Sequence, residues 1–212
     1  MIKALLFDFD GTLLDTNDLI IRTFMHVLED KFPGQYSPQD CINFIGPSLK
    51  ETFEQIAPNE MDEMIANYRL WNKEHHDELV TEFDGVITTL EQLKNEGIRL
   101  AIVSTKTRDM IERGLNVMGA THLFELVVGS DDVQHVKPHP EPILFALEKL
   151  GVKKDEAIMI GDNSHDIEGG KNAGVRTAGV AWSLKGEDFL KQFNPDYMLH
   201  HMTDLFAIVK EP

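Results

Sequence analysis

The chain has 212 residues and is 42% hydrophobic, enough for one sizeable α/β domain or a core with a small insert. Its 36 acidic residues against 20 basic ones leave a formal net charge of −16, which argues against nucleic acid or an anionic membrane surface as a partner. A single cysteine, Cys41, permits no disulfide within the chain and fits a reducing cytoplasm, where it reads as a small apolar residue and not a reactive thiol.

Taken in order, the chain opens with Ile2 to Phe7, apolar apart from Lys3 and too short for a helix. This run reads as a strand buried on both faces. Asp8 interrupts it, so no signal peptide is read there, and no later stretch approaches the ~20 apolar residues of a membrane span. Asp8 and Asp10, followed by Gly11 and Thr12, end the strand where open parallel α/β sheets hold their ligands. Two close carboxylates invite a hard cation, most simply Mg2+. They also permit a division of labour, one attacking as a nucleophile and the other carrying protons. The bland alternative is a strand-ending turn with solvated aspartates.

After Thr16 the period becomes helical. Leu19, Ile20, Thr23, Phe24, Val27 and Leu28 recur at three- and four-residue steps until Pro33-Gly34. Ser37-Pro38 starts a second helix. Gly46-Pro47-Ser48 breaks again, and Ser48 with Glu51 forms a capping box for a third. A fourth runs from about Glu60 to Leu79. Residues 16–80 therefore read as a helical cap inserted into a core of residues 1–15 and 81–212.

From Gly85 helices and strands alternate. Helices are expected over Val86–Glu96, Lys106–Met118, Pro140–Leu150, Asp166–Ala173 and Thr203–Val209. Strands are expected over Ile98–Val103, Leu126–Val128, Ala157–Ile160, Arg176–Val180 and Asp196–Leu199, and the tail Lys210-Glu211-Pro212 is expected to fray. The alternation predicts an α/β fold, a doubly wound parallel, Rossmann-like sheet with an inserted helical cap.

Three further stations follow apolar strands. Ser104-Thr105-Lys106 offers a hydroxyl and a helix N-terminus to a phosphoryl oxygen, or else an ordinary N-cap. Lys137-Pro138 places a lysine before a helix; beside Asp8 it would neutralise a nucleophile, whereas alone it would be a solvated surface charge. Gly161-Asp162-Asn163-Ser164-His165-Asp166 adds two carboxylates. Asp162 with Asp8 and a backbone carbonyl makes an oxygen site suited to Mg2+, and Asp166 reads either as a support for it or as a helix N-cap. His165 lies between two aspartates, a field expected to raise its pKa, and His139 reads as exposed turn filler.

In this order, Asp8-Phe9-Asp10-Gly11-Thr12, Ser104, Lys137-Pro138 and Gly161-Asp162 through Asp166 resemble the four motifs of the haloacid dehalogenase-like superfamily in its phosphatase form. The resemblance implies that Asp8 attacks phosphorus and forms an aspartyl phosphate, and that Asp10 is the acid and then the base. It implies that Asp8, Asp162 and the Asp10 carbonyl hold Mg2+, with Asp166 supporting the metal through water. Ser104 and Lys137 would spread the phosphoryl charge. The dehalogenase and phosphonate-cleaving branches lack a carboxylate at position 10, so Asp10 selects phosphoryl transfer.

The stretch Asn43–Lys50 reads as the specificity loop of the cap, with Gly46 turning into the crevice and Ser48 and Lys50 facing a polar leaving group, or else as an ordinary helix–helix connection. Phosphoglycolate phosphatases share all four motifs. Phe44–Ser48, Tyr68-Arg69, His76-Asp77 through Val80, Gly179–Trp182 with Lys185-Gly186, and Asn194–Asp196 look more like a bacterial pyrophosphatase family. That resemblance implies inorganic pyrophosphate as the small anionic substrate, linked to the dephosphorylation of serine-phosphorylated HPr. Such a substrate needs cations beyond Lys137; the candidates are Lys50, Arg69, Lys106 and Lys185, with Thr105 nearby. A phosphohexomutase and a non-catalytic binding protein are the remaining readings, and the sequence leaves the oligomeric state open.

Overall fold

The first apolar run forms β1 (Ala4–Phe7), and burial on both faces explains its lack of any polar alternation: all four residues are fully buried. In this computed structural model, which describes residues 1–211, β2 (Leu14–Asp15) follows, then α1 (Asn17–Lys31), α2 (Pro38–Ile42), α3 (Leu49–Ile56) and α4 (Met61–Leu79). The chain returns through β3 (Thr81–Glu82) to α5 (Val86–Asn95), β4 (Arg99–Val103), α6 (Arg108–Val117), β5 (Leu126–Val128) and α7 (Glu141–Leu150). It ends with β6 (Ala157–Gly161), α8 (Ser164–Ala173), β7 (Arg176–Val180), α9 (Glu187–Lys191), β8 (Tyr197–Leu199) and α10 (Leu205–Ile208).

The six-stranded sheet has the order β5-β4-β1-β6-β7-β8, every neighbouring pair parallel. The α/β, doubly wound expectation is met. The chain builds outward from β1 on one side and then restarts at β6 on the other, so β1 sits at the point where strand order reverses. Ligands bind at such reversals, outside the carboxyl ends of the strands. Side chains of alternate strand residues feed two cores. One holds Leu5, Phe7, Ile102 and Ile160, and the other holds Leu6, Ala101, Val103 and Met159.

Helices α1–α4 bury a third core of their own. Phe24 is at its centre, its ring 4.8 Å from Tyr68, 5.3 Å from Phe44 and 5.6 Å from Phe53. Burying one such ring stabilises by roughly 1.5–3 kcal/mol. Cys41 is buried in the same cluster, where desolvation pushes its thiol up. Ser37 and Ser48 cap α2 and α3 as read from sequence, their hydroxyls accepting from Asp40 N–H at 3.3 Å and Glu51 N–H at 3.2 Å.

Several details differ from expectation. The antiparallel β2–β3 ribbon was not foreseen, since two-residue strands carry no periodicity. Helix α6 starts at Arg108, leaving Lys106 and Thr107 in the loop. Helix α8 starts at Ser164, so Asp166 is not its N-cap; it lies inside the first turn and accepts from Asn163 N–H at 3.0 Å. The expected frayed tail is tied at Glu211, which accepts from Tyr197 Oη at 2.7 Å, while Pro212 lies outside the described residues. Among the described residues, no helix is long and apolar enough to cross a membrane.

Candidate active site

Three adjacent parallel strands place the site. Phe7 is level with Ile102 on one side and Ile160 on the other. The residues that follow these strands, Asp8, Ser104 and Asp162, therefore emerge at one edge. Gly11 lets the chain turn back at once: its φ is +74°, and a Cβ there would stand 2.5 Å from Asp162 Oδ2.

Asp8, Asp162 and Asp166 bring carboxylate oxygens within 4.8 Å of one another, and all three residues are buried. Lys137 is buried with them. Its ammonium lies 2.6 Å from Asp166 Oδ1, 3.1 Å from Asp8 Oδ1 and 2.6 Å from the Val103 carbonyl. Burial alone would depress the lysine, yet Asp166 and Asp8 outweigh it and raise the Lys137 pKa. Burial, Asp166 and Asp8 together hold Asp162 well above the carboxylate range, and burial lifts Asp166 to about 6 despite Lys137.

One ammonium against three ionised carboxylates leaves two buried negative charges in excess, a costly state unless a proton or a cation compensates. Asp8 Oδ1, although ion-paired to Lys137, completes no hydrogen bond. An all-oxygen, acidic donor set with one free oxygen fits a hard divalent cation. A testable consequence concerns pH. The folded-state pKa of Asp166 exceeds its unfolded value, so its contribution is fully present below about pH 4 and is lost as pH rises through about 6. Chelator-treated protein should melt at a lower temperature at pH 7 than at pH 5, and Mg2+ at pH 7 should restore the loss. Equal melting temperatures at the two pH values without metal would contradict this electrostatic account.

Asp10 turns away from the three-carboxylate cluster. Its Oδ1 accepts from Lys106 Nζ at 2.7 Å, an ion pair largely shielded from solvent. Both line a cavity of about 550 Å³ with Asp8, Asp162 and Thr105 on the core side and Gly46, Ser48, Lys50 and Arg69 on the helical side. Ser104 and Lys137 do not line the cavity. Ser104 is buried at the end of β4, its Oγ accepting from Lys106 N–H at 3.4 Å, and Lys137 supports Asp8 from behind. The Ser48 hydroxyl is engaged by Glu51, and Lys50 is exposed at the cavity mouth.

The loop Ile45–Ser48 is clasped from the core. The Ile45 carbonyl accepts from Asn163 Nδ2 at 2.7 Å and from Lys185 Nζ at 2.8 Å, and Thr105 Oγ1 donates to the Gly46 carbonyl at 3.4 Å. Gly46 has φ +109°, and a Cβ would meet the Asn163 side chain at 2.3 Å. Sequence reasoning gave Asn163 no role and read Lys185 only as a cation for substrate. Both follow recognisable strand ends, but their partner lies more than a hundred positions away. One other expectation needs correction. His165 has its pKa lowered: burial dominates, and Lys185 and Lys137 reinforce it against Glu51 and Glu168. Trp182 packs on Phe83 with ring centroids 6.1 Å apart and belongs to the core.

The family model of haloacid dehalogenase-like hydrolases matches residues 5–180. Pyrophosphatase PpaX of Bacillus cereus is 49% identical over 210 residues, covering 99% of this chain and 97% of that protein. A crystal structure from Bacteroides fragilis, assigned as a haloacid dehalogenase-like hydrolase, superposes with a TM-score of 0.91 at 28% identity, covering 97% of this chain and 100% of the other. One from Lactobacillus plantarum, assigned as a phosphoglycolate phosphatase, gives a TM-score of 0.89 at 25% identity over 98% and 99% of the two chains.

Proposed function

The chain belongs to the haloacid dehalogenase-like hydrolases and is a phosphatase of that family; we propose that it hydrolyses inorganic pyrophosphate to phosphate through an aspartyl phosphate on Asp8. The full-length similarity to Pyrophosphatase PpaX carries the choice of substrate. The placement of Asp8 in the cavity, with Lys137 behind it and Asp10 beside it, supports the chemistry.

In this reading Asp8 attacks phosphorus in line, and the P–O bond to the leaving phosphate breaks. Asp10 delivers the proton to that leaving oxygen, then takes one from the water that cleaves the acyl phosphate. Lys106 fixes the Asp10 carboxylate in the cavity. Lys137 holds Asp8 in place through their 3.1 Å ion pair, and Ser104 orders the loop that carries Lys106. Asp8, Asp162 and the Asp10 carbonyl would hold Mg2+, with Asp166 behind them; when bound, the ion neutralises phosphoryl oxygens and the excess charge of the cluster. Residues 16–80 act as a cap over a core of residues 1–15 and 81–212, and Lys50, Arg69 and Lys106 supply positive charge to the leaving phosphate. The dephosphorylation of serine-phosphorylated HPr in the cytoplasm would supply the pyrophosphate.

Phosphoglycolate is the second reading, favoured by the fold's similarity to the Lactobacillus plantarum structure. The two separate in a phosphate-release assay with Mg2+ at matched substrate concentrations. Pyrophosphate should have the higher kcat/KM by at least tenfold, about 1.4 kcal/mol of transition-state discrimination. A preference for phosphoglycolate would overturn the substrate and leave the core chemistry standing.

A further inference from the structure

The segment that buries Lys137 turns a different set of side chains to solvent. His135 and His139 flank the lysine two residues to either side, and Glu141 opens α7. His135 Nδ1 lies 2.8 Å from Glu141 Oε2, and His139 Nδ1 lies 3.9 Å from the same oxygen. The two imidazole centroids are 4.5 Å apart, with 32° between the ring planes. One ligand atom from each of the three residues falls within 4.8 Å of the others. Donors that share a zinc-type ion at 2.0–2.2 Å stand roughly 3–4 Å from one another, so the arrangement is close to a coordinating one.

The surroundings orient these donors. Glu141 accepts from Gln134 N–H at 2.9 Å and from His135 N–H at 3.0 Å, which fixes the carboxylate and, with the His135 ring, holds its pKa below the usual range. Glu141 N–H donates to His139 Nδ1 at 3.2 Å, which holds the ring against the start of α7 beside the other two side chains. Nothing in the phosphatase chemistry uses any of the three.

We propose that His135, His139 and Glu141 form a second metal site, for a borderline divalent ion of the zinc class, which ties together the two ends of the segment that carries Lys137. Imidazole nitrogens select such ions over Mg2+, so this site differs in chemistry from the carboxylate cluster. Side-chain exposures of 61%, 50% and 31% leave the remaining coordination positions open to water or a small ligand.

The test uses the untagged full chain in saturating Mg2+, titrated with Co2+ as a spectroscopic stand-in for zinc. Nitrogen-ligated Co2+ of low coordination number absorbs strongly in the visible, whereas six-coordinate Co2+ among carboxylates absorbs weakly. One equivalent of strongly absorbing Co2+ is expected, displaced by Zn2+. His135→Ala and His139→Ala should each weaken it by about 100-fold or more, since even residues behind a metal ligand cost 10–100-fold. Asp162→Asn should leave the band in place. Absence of the band in wild type, its survival in either histidine variant, or its loss in Asp162→Asn would each overturn the site.

Discussion

Asp8→Asn should abolish phosphate release, with a fall in kcat of at least about 10⁴-fold, while leaving the fold intact or more stable. An amide of the same shape cannot attack phosphorus, and removing a nucleophile typically costs a factor of this order or greater. Stability should move the other way because Asp8 adds to an excess of buried negative charge shared with Asp162 and Asp166. Lys137 keeps its 2.6 Å partner Asp166 in the variant. Thermal melting beside a phosphate-release assay separates the two effects. Wild-type turnover in the variant would remove Asp8 from the chemistry, and a large drop in melting temperature would show that its role is structural.

Lys137→Met should damage both properties. Methionine fills a similar volume but leaves Asp166 and Asp8 without their cation in a dry environment. Breaking a buried pair in this way costs about 3–5 kcal/mol. The penalty should be largest above neutral pH and shrink toward pH 5, where the orphaned Asp166 can protonate. Activity should fall by about 10²–10³-fold, the scale of losing one preorganised electrostatic group. Urea titrations at two pH values read the first effect and phosphate release reads the second. A variant as stable as wild type at pH 8 would mean that the ammonium does not balance this cluster.

The parts of the molecule that were legible in the sequence are those written locally. Ile2–Phe7 and Ala157–Ile160 announce strands, and Asp8 after the first and Gly161-Asp162 after the second announce their ends, which puts both aspartates at one edge on the sequence alone. The capping serines at 37 and 48 were legible because each pairs with a residue three positions on. Contacts between distant segments were not. Lys106 on Asp10, and Asn163 and Lys185 on the Ile45 carbonyl, depend on how loops from different strands converge. The direction of the His165 shift was misjudged because neighbouring charges are visible in a sequence and burial is not.

The β2–β3 ribbon has a consequence for evolvability. The chain leaves the sheet region at Asp15 and returns at Thr81, and these two residues are registered partners in an antiparallel pair. The excursion between them starts and finishes at one place, so its length hardly matters to the rest of the molecule. Closing a loop costs only about 0.6 kcal/mol for each doubling of its length. A short turn, these four helices or a larger insert would all meet the same boundary condition. Such a junction lets the helices that line the far side of the cavity be exchanged wholesale while Asp8, Lys137 and Asp162 keep their positions.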